Sequence, residues 1–114
     1  MFKSSLALAS VSAVLAFACL TPAHAAPDED AAKALMKAND CTKCHAPAKT
    51  KKGPSLKKIA EKYKGKADAQ DKLVTNFTTA PMVKLADGTE EKHKVIDSKD
   101  AKELKNLADW ILTQ

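Results

Sequence analysis

Five consecutive residues, Cys41-Thr42-Lys43-Cys44-His45, constrain this chain more than any other stretch. Two thiols with two residues between them can reach one edge of a flat macrocycle. A histidine directly after the second thiol brings an imidazole under a metal at its centre. This is the attachment pattern of a c-type haem, in which Cys41 and Cys44 add across the porphyrin vinyl groups and His45 supplies an axial nitrogen. A Cys-x-x-Cys redox site would need a βαβ context, which the flanking sequence does not offer, and a zinc site would need two further ligands close by. The rest of the chain is therefore read as an envelope for one macrocycle.

Lys3 is followed by Leu6 to Leu20, fifteen mostly apolar residues, and then by Thr21-Pro22-Ala23-His24-Ala25. This reads as a secretory signal over residues 1–25 with an Ala-x-Ala cleavage site. The run is short of the roughly 20 residues a membrane span needs, and no second candidate follows. The mature protein is then Ala26 to Gln114, soluble and exported to the periplasm. Cys19 at the end of the run could in principle take a lipid anchor, but bulky Phe17 stands where a lipoprotein signal has a small residue.

Removing the signal leaves two cysteines, both in the haem motif, and two histidines. A short exported chain often relies on disulfides because its core is small, and here no cysteine is left to form one. Only three aromatics remain, Tyr63, Phe77 and Trp110, so a buried macrocycle would supply the missing apolar surface. Every basic residue is lysine. Lys49, Lys51, Lys52, Lys57, Lys58, Lys62, Lys64 and Lys66 follow the haem motif with only Glu61 among them. Such a run either steers acidic redox partners towards the haem or is a solvated face that keeps the protein in solution. Nucleic acid is a poor fit for an exported chain without arginine.

Between these landmarks the pattern is helical. Asp28-Glu29-Asp30 opens a helix that runs through Ala38 and delivers the chain into Cys41, with Met36 expected in the core rather than on the iron. Leu56, Ile59, Ala60 and Tyr63 form one face of a second helix that Gly65 terminates. Leu73, Val74 and Phe77 mark a third, over 68–78. Residues 79–96 read as a long irregular loop containing Pro81 and the turn Asp87-Gly88. Ser98 or Asp100 caps a closing helix, with Asp100 and Glu103 at capping-box spacing and Leu104, Leu107, Ala108 and Ile111 on its inner face.

From Asp28 to Gln114 the chain resembles the small mono-haem class I bacterial cytochromes c. There a helix leads to Cys-x-x-Cys-His, a Gly-Pro follows about nine residues later, as Gly53-Pro54 does here, and a closing helix carries an aromatic, as Trp110 does. The resemblance implies an all-α bundle of about four short helices around one covalently attached haem c. It also implies that the Pro54 carbonyl accepts a hydrogen bond from the outer nitrogen of His45, although Pro54 would equally suit the first helical position. The family's sixth ligand is usually a methionine shortly before the closing helix. Here the loop offers Met82 and His93, which stand 28 and 17 residues before Trp110. The family spacing of about sixteen or seventeen favours His93 on the iron, with Met82 as the alternative and an open site as a third case.

The function these features imply is electron transfer between redox partner proteins that are acidic at the contact surface. The carrier is expected to be monomeric and not an enzyme, to touch membranes only through its partners, and to bind no nucleic acid. A haem-based sensor with a labile sixth ligand is the alternative. A peroxidase is a weaker reading, since only a detached His93 could serve as a distal acid or base.

Overall fold

Helix α1, Glu29–Ala38, begins where the acid cluster placed it: Asp28 is the cap, and its side chain accepts the Ala31 N–H. The computed structural model describes residues 25–114. The signal-peptide reading and the Cys19 alternative concern 1–24 and lie outside the described residues. A single 3-10 turn over Cys41–Lys43 follows α1. Helix α2, Leu56–Tyr63, is capped by Ser55, whose hydroxyl accepts the Lys58 N–H. Pro54 therefore sits outside the helix and not at its first position. The chain leaves α2 through Gly65 at φ 74°, in the left-handed region where glycine carries no Cβ penalty.

Helix α3, Ala69–Thr78, and helix α4, Ala101–Leu112, complete the helical set. Helix α4 packs on α1, α2 and α3 alike and is the central element. Its Leu107 and Ala108 are 1% and 0% exposed, and Leu104, Trp110 and Ile111 are buried with them. Met36 of α1, Leu56 and Tyr63 of α2, and Leu73 and Phe77 of α3 join this core. At α4 the expected capping box does not close. Asp100 accepts the Lys102 N–H, but Glu103 takes the hydroxyl of Ser98, and Ser98 in turn accepts the Asp100 N–H.

Residues 79–96 depart from the expectation of an irregular loop. They hold a two-stranded antiparallel ribbon, β1 Met82–Lys84 and β2 Glu90–Lys92, with Met82 paired to Lys92 and Val83 to Glu91. Asp87-Gly88 forms its tip: Gly88 adopts φ 87°, and the Asp87 carboxylate accepts both the backbone N–H and the hydroxyl of Thr89. The fold is thus mainly helical with one small ribbon.

Candidate haem-binding site

Two residues turn the end of α1 into the thiol pair. Asn39 caps the helix, and Asp40 takes φ 56°, a conformation that aspartate tolerates better than most residues. The N–H groups of Cys44 and His45 then both donate to the Cys41 carbonyl, at 3.2 and 3.0 Å. This tight turn places Cys41, Cys44 and His45 along one side of a cavity of about 950 Å³. The two sulfurs are unpaired and half-buried, and here they stand in for the thioether sulfurs of the haem-attached protein. Burial pushes the Cys41 thiol up, which keeps it protonated.

The His45 ring is fixed from two sides. Its Nδ1 lies 2.6 Å from the Pro54 carbonyl oxygen. A carbonyl can only accept, so Nδ1 carries the proton and Nε2 keeps its lone pair for a metal. Burial, assisted by the nearby His93 and opposed by the Pro54 bond, pushes the imidazole towards its neutral form. Gly53 forms the other wall: a Cβ there would lie 2.8 Å from His45 Cε1 and 3.2 Å from Nδ1. Only glycine lets the backbone pass so close to the ring, and the Gly53 N–H also ties the loop back to the Cys44 carbonyl at 2.9 Å.

His93 follows β2 directly, and its N–H donates to the Pro81 carbonyl at 2.8 Å. Its Nδ1 is 2.9 Å from the Lys94 carbonyl oxygen, so the reasoning applied to His45 leaves its Nε2 free as well. The ring centres of His45 and His93 are 6.1 Å apart and their planes differ by 36°. Two metal–imidazole bonds of about 2 Å each, with about 1 Å more from each nitrogen to its ring centre, span about that separation. The residues present fit a haem with an imidazole on each face. Met82 also borders the cavity, one rung along the same ribbon.

The cavity's inner surface is apolar, with Met36, Leu56, Tyr63, Leu73, Phe77 and Leu107 contributed by all four helices. Its rim is basic, and here the sequence pattern was a partial guide. Of the eight lysines after the motif only Lys52, Lys58 and Lys62 border the cavity; Lys43, Lys84, Lys92 and Lys94, three of them from the ribbon region, complete the rim. Lys62, with Lys66, also lies over the Tyr63 ring, each about 5.5 Å from its centre.

A helical envelope around a cavity edged by Cys-x-x-Cys-His defines a small class I c-type haem protein. The chain belongs to the cytochrome c family, whose pattern matches residues 29–114, and its cofactor is covalently bound haem c. It is similar to the class 1 cytochrome MtoD of Sideroxydans lithotrophicus, with 53% identity and a TM-score of 0.74 over 77% of this chain and 97% of that one. Cytochrome c552 of Nitrosomonas europaea superposes with a TM-score of 0.57 at 33% identity, over 71% of this chain and 96% of its own. Cytochrome c-551 of Allochromatium vinosum is 40% identical over 60 residues, which span 53% of this chain and 61% of that protein.

Proposed function

We propose that this protein is a periplasmic electron carrier whose haem is held between His45 and His93. The observation that carries the reading is the opposed pair of imidazoles, 6.1 Å apart, each with Nδ1 engaged by a backbone carbonyl. The haem iron supplies the redox chemistry by exchanging one electron between its ferric and ferrous states. His45 is oriented and made a stronger donor by Pro54, as His93 is by Lys94. The apolar wall from the four helices keeps water from the inner face of the site, so that little reorganisation accompanies the change of charge. Two imidazoles hold the potential below that of a histidine–methionine pair, because a methionine ligand favours the ferrous state.

The lysine rim supports encounter with a partner that is acidic at its contact face, by steering that weakens as salt screens it. No helix among the described residues is long and apolar enough to cross a membrane.

Carbon monoxide tests the axial assignment. Reduced wild type should resist it, His93→Ala should bind it readily, and Met82→Leu should behave as wild type. Ready uptake by the wild type would favour the sensor reading. An unresponsive His93→Ala beside a Met82→Leu that binds the gas would give the sixth position to methionine.

A further inference from the structure

Asn39 reads in the sequence only as the residue that ends α1, yet it is 8% exposed and its side chain spans two distant parts of the chain. Its Nδ2 donates to the Leu35 carbonyl at 2.9 Å, and its Oδ1 accepts the Asp97 N–H at 2.8 Å across 58 residues of sequence. Both bonds are met in one amide orientation, since flipping the group would set its NH₂ against the Asp97 N–H. The neighbouring Asp40 carboxylate receives Lys94 Nζ at 2.8 Å and Lys43 Nζ at 3.3 Å. Two adjacent residues, just before the first thiol, thus hold positions 94 and 97, just after His93. From the other side the Phe77 carbonyl accepts the Ile96 N–H at 2.8 Å.

We propose that Asn39 is a positioning residue for His93, fixing the segment that bears this histidine against the loop to which the haem is attached. The inference rests on the reading of His93 as the second axial ligand. The arrangement is a direct tie between the two halves of the site: the attachment loop sets one face, and the 94–97 segment sets how far away the opposite imidazole stands. Asn39 carries more of this than Asp40. Its bonds are part-buried, and removing the acceptor takes away the protein partner of the Asp97 N–H, whereas the Asp40–Lys94 pair is exposed and screened by water.

The test mixes the reduced, haem-loaded protein with carbon monoxide and follows the binding rate beside the thermal midpoint. Asn39→Ala should bind at least about tenfold faster than wild type, in proportion to the more frequent release of His93. Asn39→Asp keeps an acceptor for the Asp97 N–H and should stay near the wild-type rate even though losing the bond to Leu35 lowers its midpoint. Asp40→Asn, which suits φ 56° and retains the fold, should bind about two- to threefold faster. A lowered midpoint for Asn39→Ala with a wild-type rate would mean a purely structural role and overturn the proposal. If Asn39→Ala yields no folded protein, Asn39→Ser, which keeps a polar side chain too short to reach the Asp97 N–H, takes its place, and a wild-type rate there overturns the proposal. Failure of the axial assignment looks different: His93→Ala itself would leave rate and spectrum unchanged, and this inference would fall with it. A fast His93→Ala beside a wild-type Asn39→Ala removes only the role of Asn39.

Discussion

Gly53 is the residue on which the proximal side of the site turns, because its missing side chain is the space the His45 ring occupies. Gly53→Ala would force Cβ to within 2.8 Å of the imidazole, so the ring must rotate and its bond to the Pro54 carbonyl must lengthen. The expected cost is about 1 to 3 kcal/mol of stability in the haem-loaded protein, measured by denaturant unfolding, with a shifted visible spectrum. Asp40 makes a second prediction, through pH. Hydrogen bonds from Lys94 and then Lys43 hold its carboxyl below the usual carboxylate range. The folded value is the lower one, so its contribution is present above an ordinary aspartate pKa of about 4 and is lost as pH falls through the depressed value. The stability gap between wild type and Asp40→Asn should be widest near neutral pH and close on acidification. A gap that widened in acid would contradict the pairing. The haem pentapeptide was plain in the sequence. Asn39 was not, because nothing in the local pattern shows that a helix-ending amide will meet a backbone N–H 58 residues on.

The elements divide by what holds them. The helices were legible, α1 from its acidic cap and the others from apolar residues at helical spacing; α2 buries Leu56, Ala60 and Tyr63, and α4 buries Leu104, Leu107, Ala108 and Ile111. The ribbon was missed because Met82–Lys84 and Glu90–Lys92 have three residues each and bury almost nothing, so no apolar alternation marks them. Asp87-Gly88 was the available signal, since Asp-Gly is a hairpin dipeptide, but with no apolar strand on either side it read as a turn alone. The closing helix gives the clearest prediction at this scale. Trp110 is 6% exposed, so Trp110→Ala should lower stability by about 3 to 5 kcal/mol. A loss below about 1 kcal/mol in thermal or denaturant unfolding would mean that this side chain does not anchor α4.

At the scale of the whole molecule the core is a shell. Apolar side chains from all four helices line the cavity of about 950 Å³, and with only three aromatics after Ala26 they cannot close it upon themselves. Cys41→Ala with Cys44→Ala should therefore lose most of its helical circular dichroism, because the uncovered surface has no other partner. A stable, helical, haem-free product would contradict this dependence. The lysines round the cavity mouth act at the same scale: the rate of electron exchange with an acidic partner should fall steeply as ionic strength rises. The central claim, that His45 and His93 share the iron, is met most directly by the far-red absorption of the oxidised wild-type protein. Two imidazole ligands predict no weak sulfur-to-iron charge-transfer band there. A band present in the wild type and lost in Met82→Leu would assign the sixth position to Met82 and contradict the account.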